Sequence, residues 1–278
     1  MPRYGHAARG GRLVLRGIRP RRPARALPAR SVSIVLNAGS RCARTVRGVL
    51  RPATSVVGTP VRVRTEASRI ALTFDDGPVR TVTPAILDVL SDFDAHATFF
   101  VLMTRARTDP GLVRDLSSAG HEVGLHGPDH RSLRTFTPRQ VRNRTRRARD
   151  ELEQITGAPV SWFRPPYGAQ SPTRWAAVRS LGLEPVLWSA TTWDWKDVPQ
   201  ARRVEKALGD CSAGDILLAH DNFADAVDGV SDGPRPEVDK TELIRLVLSG
   251  LSERGLTATT VSELLSTGHF DRRISFAR

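Results

Sequence analysis

From Arg69 to Thr260 the chain alternates between short apolar runs and longer amphipathic stretches. The runs are Arg69–Phe74, Ala97–Leu102, Glu122–His126, Trp162–Arg164, Pro185–Ser189, Asp215–His220 and Leu256–Thr260, each short enough to read as a buried strand. Between them lie helical patterns. Val82–Ser91 carries Pro84 in its first turn, and Pro110–Ala119 closes on Gly120. Thr137-Pro138 opens a long helix to Ile155, and Ser171-Pro172 opens another that ends near Leu181-Gly182. Val198–Leu208, Thr241–Arg254 and a short helix after Val261 complete the series, while Val61 and Val63 alternate with arginines as in an edge strand. Strands that alternate with helices in this way pair in parallel through βα units. Polar clusters end one strand after another, and that is where a (β/α) barrel gathers its site. The expected fold is therefore α/β, a TIM-like (β/α)7 barrel.

The formal charge of +13 would suggest a nucleic-acid binder if it were spread over the chain. It is not. Residues 1–68 hold 15 of the 42 basic residues and one of the 29 acidic ones, which leaves 27 basic against 28 acidic for the rest. The basic segment has no interleaved aromatics for base stacking, so nucleic acid is not an expected partner. Residues 1–55 are rich in Arg and Pro and read as a disordered extension, 56–268 as the catalytic domain, and 269–278 as a C-terminal tail. Contact of the extension with an anionic membrane or wall polymer is the alternative to a passive tail. Ser31–Gly39 is too short and too interrupted for a clear secretory core, and no run approaches the ~20 apolar residues of a membrane-spanning helix. A cytoplasmic or membrane-peripheral monomer is expected, with secretion to the cell wall as the alternative. Cys42 and Cys211 are read as free thiols. The Arg-rich side of the long helix, Arg139 to Arg149, reads as a solvated outer face.

Five clusters carry chemistry. Asp75-Asp76-Gly77-Pro78 follows a strand, and two adjacent carboxylates repel unless a cation sits with them; a surface turn is the alternative. His126 and His130 follow the third strand, and one carboxylate with two imidazoles leaves a metal with open positions, as in a catalytic site. His121 lies near that strand's start and reads as structural. In Arg164-Pro165-Pro166-Tyr167-Gly168 the prolines fix the backbone and the arginine can clamp a carboxylate. Trp193-Asp194-Trp195 places an acid between indoles suited to a sugar face or small acyl group. His220, ending the strand Ile216-Leu217-Leu218-Ala219, has the right character for a general acid, with Asp194 as a partner.

In this order and spacing the clusters resemble carbohydrate esterase family 4, the polysaccharide deacetylases related to the nodulation chitooligosaccharide deacetylases. The resemblance spans Arg69 to Val261, roughly 70% of the chain. It implies a distorted barrel and one divalent metal, zinc first, with cobalt, manganese or nickel as alternatives. Asp76, His126 and His130 would hold that metal and Asp75 would act as base on its bound water, oriented by Arg164. The Tyr167 N–H would help stabilise the oxyanion, His220 would be the acid tuned by Asp194, and Trp195 and Leu218 would line the acetyl-methyl pocket. Two positions depart from the family pattern. Gly127 stands where Ser or Thr is common, removing a loop-bracing hydrogen bond, and Thr191 stands where an earlier acid is frequent. The expected activity is removal of N-acetyl groups from a GlcNAc-containing glycan or glycolipid. A non-sugar amide or imide hydrolase and a non-catalytic glycan-binding protein are the alternatives. Residues 224–238, rich in Gly, Asp and Pro, read as a rim loop that shapes access.

Overall fold

The computed structural model describes residues 58–274. The expected extension over residues 1–55, with Cys42 and the Ser31–Gly39 segment, lies outside the described residues. In chain order the elements are β1 (Thr59–Arg64), β2 (Arg69–Asp75), α1 (Thr83–Asp92), β3 (Thr98–Leu102), α2 (Met103–Thr108), α3 (Pro110–Ser118), β4 (Glu122–Gly127) and α4 (Pro138–Thr156). Then come β5 (Trp162–Phe163), α5 (Pro172–Arg179), β6 (Glu184–Pro185), β7 (Ala190–Thr191), α6 (Gln200–Asp210), β8 (Ile216–His220), α7 (Lys240–Glu253), β9 (Thr257–Thr259), α8 (Val261–Ser266) and β10 (His269–Arg273).

Seven parallel strands form a curled sheet in the order β6-β5-β4-β3-β2-β8-β7, an incomplete barrel consistent with the expected (β/α)7 class. β3 pairs only with the C-terminal half of β2, from Thr73 to Asp75, and β9 takes the edge that this leaves, from Arg69 to Ala71. Along β2 the side chains alternate as a pleat requires. Ile70, Leu72 and Phe74 pack outward under the helices with Phe99, Ile86 and Leu90, whereas Ala71 faces the inner cluster of Phe100, Trp162, Val186 and Ile216. Thr73 and Asp75 share the inward parity of Ala71. The sequence therefore puts one acid at the end of an inward-facing row.

Two expectations need correction. Pro185–Ser189 is not one strand. Its N–H groups find three separate partners: Val186 bonds to Phe163 O at 2.8 Å, Leu187 to Pro60 O at 2.9 Å and Ser189 to Ile216 O at 3.1 Å. The carbonyls of Val186 and Leu187 turn to the buried Arg164 guanidinium, each at 3.2 Å, so β6 stops at Pro185 and the next strand, β7, starts only at Ala190. Nor is 269–278 simply a tail, because His269–Arg273 forms β10, antiparallel to β1. Phe270 packs edge-on against Trp162 at 5.7 Å and Arg272 bonds Glu184 at 2.9 Å, contacts that charge alternation in the segment conceals. The six-residue α2 was also not foreseen; it buries only Met103 and Ala106 and has no capping side chain.

The long helix follows its sequence signals closely. Thr137 and Gln140 form a capping box and Gly157, at φ +69°, ends it in the left-handed region. No helix among the described residues is long and apolar enough to cross a membrane. Cys211 is a buried free thiol.

β1 closes the space between the two sheet ends, its Val63 N–H bonding to Gly214 O at 2.7 Å. Gly214 sits at φ +86°, where an added Cβ would fall 2.0 Å from the Val63 carbonyl oxygen. A Gly214→Ala variant is therefore expected to lose roughly 2 kcal/mol or more of stability, from backbone strain and from displacing β1. Thermal unfolding followed by circular dichroism should show a midpoint lower by several degrees; an unchanged midpoint would contradict this closure.

Candidate active site

β2 delivers Asp75 and Asp76 to the C-terminal end of the barrel. In a continued strand the two side chains would point to opposite faces. Asp76 instead adopts φ +74°, in the left-handed region, and both carboxylates line one cleft. Asp75 Oδ1 accepts a 2.9 Å hydrogen bond from Arg164 Nη1, which also donates to Thr73 Oγ1 at 2.7 Å. The guanidinium has no exposed surface, and its carbon lies 4.1 Å from the centre of the Phe100 ring. Burial pulls its pKa down and the Asp75 carboxylate acts against that pull.

β4 ends with His126, whose Nδ1–H donates to the Arg164 carbonyl at 2.8 Å. Because a carbonyl can only accept, this bond sets the tautomer and leaves the Nε2 lone pair free. His126 Nε2 stands 3.4 Å from Asp76 Oδ1, and His130 Nε2 stands 3.2 Å from the same oxygen. Gly127 between them has φ +147°, and a Cβ there would lie 2.9 Å from Asp129 O, so only glycine turns this tightly. The loop is braced elsewhere: the His130 N–H donates to the main-chain carbonyl of Asp228 at 3.0 Å. The Asp228 carboxylate is itself buried, bonded to Thr104 Oγ1 and to Arg105, with Nε of the latter at 3.1 Å.

The donor set fits a divalent cation. One ligand atom from each of Asp76, His126 and His130 lies within 4.8 Å of the others, and all three residues are buried. Asp76 Oδ1 and His130 Nδ1 are buried without a hydrogen-bond partner, a costly state for a carboxylate oxygen facing two imidazoles unless something positive joins them. Burial by itself would raise the Asp76 pKa, but the closeness of His126, His220 and His130 holds it well below the usual carboxylate range. Burial pushes His130 down, toward the neutral form that ligates.

The neighbouring strand β8 supplies a second pair. His220 ends β8, and its Nδ1 lies 2.8 Å from Asp194 Oδ1 while its backbone N–H donates to Asp194 Oδ2 at 2.7 Å. Burial would lower the His220 pKa, yet the charge and hydrogen bond of Asp194 outweigh it and raise the group to about 9. Asp194, which burial would raise, is held at about 2 chiefly by His220 and Lys240. Trp193 turns at φ +54° to set Asp194 inward, and the Trp195 ring meets His220 edge-on at 5.4 Å.

All ten residues expected at the site converge on this region. Asp75, Asp76, His126, His130, Tyr167, Trp195, Leu218 and His220 line a cleft of about 390 Å³, and Arg164 and Asp194 stand directly behind it. Tyr167 sits at φ +60° with its ring 4.4 Å from His130, and its hydroxyl donates to Asp232 Oδ2 at 2.8 Å. His121 is away from the cleft; its Nδ1 accepts from Ala97 N at 3.3 Å and burial pushes its pKa down to about 4. Trp188, Phe223, Asp232 and Arg235 also line the cleft and were not singled out from the sequence. For the last two, the only sequence signal was the composition of the rim loop.

The profile of the polysaccharide deacetylase family matches residues 62–186. A chitooligosaccharide deacetylase of Azorhizobium caulinodans is 33% identical over 202 residues, a match covering 72% of this chain and 96% of that protein. The chain belongs to the polysaccharide deacetylase family. A peptidoglycan-N-acetylglucosamine deacetylase of Listeria monocytogenes is 39% identical over 153 residues, spanning 55% of this chain and only 32% of that longer relative. Among solved structures, a peptidoglycan deacetylase from Bacillus subtilis shares the fold with a TM-score of 0.63 at 28% identity, over 74% of this chain and 93% of that one. The family profile ends before Asp194 and His220, so the acid pair rests on the geometry above.

Metal titration by calorimetry, with elemental analysis of purified protein, checks the triad. About one divalent ion per chain is expected, and Asp76→Ala or His130→Ala should weaken binding by about 100-fold or more while the fold is retained. Wild-type affinity in either variant would remove the triad from consideration.

Proposed function

We propose that this protein hydrolyses the N-acetyl group of a GlcNAc-containing glycan or glycolipid. The observation that carries the reading is the presence, in one cleft, of two proton-transfer groups of opposite role at the paired ends of β2 and β8. Asp75 is clamped by buried Arg164 beside the Asp/His/His triad, and His220 is held protonated by Asp194. Zinc suits two imidazoles and a carboxylate, with cobalt, manganese or nickel as alternatives. When bound, the cation supplies Lewis-acid polarisation of the acetyl carbonyl and of water.

The remaining chemistry belongs to the chain. Asp75 accepts a proton from the attacking water. Arg164 and Thr73 keep that carboxylate in one orientation, so little is lost to misaligned rotamers. The water oxygen bonds to the acetyl carbon, and the Tyr167 N–H stabilises the negative charge that develops on the carbonyl oxygen. As the C–N bond breaks, His220 gives its proton to the departing amine. Acetate and a free amino sugar result. Trp195 and Leu218 receive the acetyl methyl, and Tyr167, 49% exposed, offers a ring to the sugar at the mouth.

Acetate release from GlcNAc polymers, peptidoglycan and acetylated glycolipids, with and without chelator, tests the proposal. Chelation should abolish release, and Asp75→Asn should lower kcat by about 100-fold or more with metal content unchanged. Undiminished release by that variant would sink the mechanism.

The pH profile supplies a second measurement. His220 acts in its protonated form, and its pKa near 9 places the alkaline fall of kcat/KM at about that pH. Replacing Asp194 by Asn removes the charge that raises it and lets burial prevail. The alkaline limb should then move down, toward or below the 6.5 of an ordinary histidine, together with a lower maximum. A limb that stays in place would show that another group is the acid.

A further inference from the structure

Only three of the chain's 42 basic residues are lysines, and one of them, Lys240, is buried beside the acid histidine. It occupies the first position of α7, after the capping Asp239. That is a poor place for a cation on two counts. The unpaired N–H groups make a helix N-terminus positive, and removal from water disfavours any charge. The side chain is nevertheless only 9% exposed.

Its contacts offset those costs, and they all involve the surroundings of His220. The ammonium donates to the His220 carbonyl oxygen at 2.8 Å, stands 3.6 Å from Asp194 Oδ2, and lies 3.5 Å from the centre of the Phe223 ring. Asp194 thus has both oxygens engaged. Oδ1 meets His220 Nδ1, and Oδ2 receives the His220 N–H while facing Lys240. Among the described residues, the polar contacts of that carboxylate are with His220 and Lys240 alone. The charged groups around Lys240 are Asp194, Asp221 and Asp76, and those around His220 are Asp194, Asp76 and Asp75.

We propose that Lys240 is a positioning residue for the general acid. By holding the His220 carbonyl and the far oxygen of Asp194 together, it keeps the imidazole oriented so that its remaining nitrogen, Nε2, addresses the leaving group. The inference rests on the deacetylase reading, with His220 as acid. A lysine that merely neutralised the two buried carboxylates Asp194 and Asp221 would support every reaction of the site equally.

The two roles separate by leaving group. An amine cannot depart from an acetamide without a proton, whereas p-nitrophenolate leaves an acetyl ester unaided. The metal-loaded full chain is therefore assayed on an N-acetylated chito-oligosaccharide and on p-nitrophenyl acetate, as wild type, Lys240→Met, Lys240→Gln and Lys240→Arg. The ratio of amide to ester turnover is taken within each sample, so loss of folded protein cancels. In the Met and Gln variants the ratio should fall about tenfold or more, through kcat rather than KM, and Arg should restore most of it. An unchanged ratio in whichever of the two neutral variants folds, or one that Arg fails to restore, overturns the role of Lys240 while leaving the deacetylase reading intact. Failure of the wild type on both substrates sinks the deacetylase reading, and this inference with it.

Discussion

A guanidinium sealed from water is costly to bury, and much of the site is arranged around its needs. Arg164 has five N–H donors and no means of shedding its charge within a protein. It spends them on Thr73, on Asp75 and on the carbonyls of Val186 and Leu187. Its own carbonyl then fixes the ring of His126. One residue thus breaks a strand in two, holds one acidic side chain and selects the tautomer of an imidazole. Removing either member of a buried ion pair typically costs about 3–5 kcal/mol, because the survivor is left uncompensated. The arrangement therefore admits little drift.

Much of this is legible in the sequence. β2, β3, β4 and β8 are long enough to show as apolar runs, and their polar endings point to the right end of the barrel. The metal-type triad and Asp75 were readable because one turn carries both carboxylates and four residues span both histidines. β5, β6 and β7 have only two residues each, so boundaries there follow tertiary partners rather than local pattern. β10 could not be inferred at all. Its partner β1 lies some 200 residues away, and its half-buried contacts with Trp162 and Glu184 leave no period in the segment itself.

The residues that sequence reading passed over share a physical character. Trp188, Phe223 and Lys240 work through approach in space, and none belongs to a motif with a fixed spacing. Lys240 reads locally as an ordinary helix-opening lysine, and only the fold shows that its ammonium reaches the end of β8. Conversely, Gly127 read as a lost brace, and the fold supplies a substitute from the carbonyl of Asp228.

That substitute has a consequence for how such a protein can diversify. The carbonyl of Asp228 supports a candidate metal ligand, while the same residue's carboxylate anchors the start of the rim loop to α2. Past this anchor, residues 232–236 line the cleft mouth and stay tied to it: Arg235 pairs with Asp225 at 2.8 Å, and Asp232 accepts from Tyr167 at 2.8 Å. Mutational drift in the loop is thereby limited to changes that keep these ties, and the segment from Asp225 to Asp228 must hold still with the candidate ligand it supports.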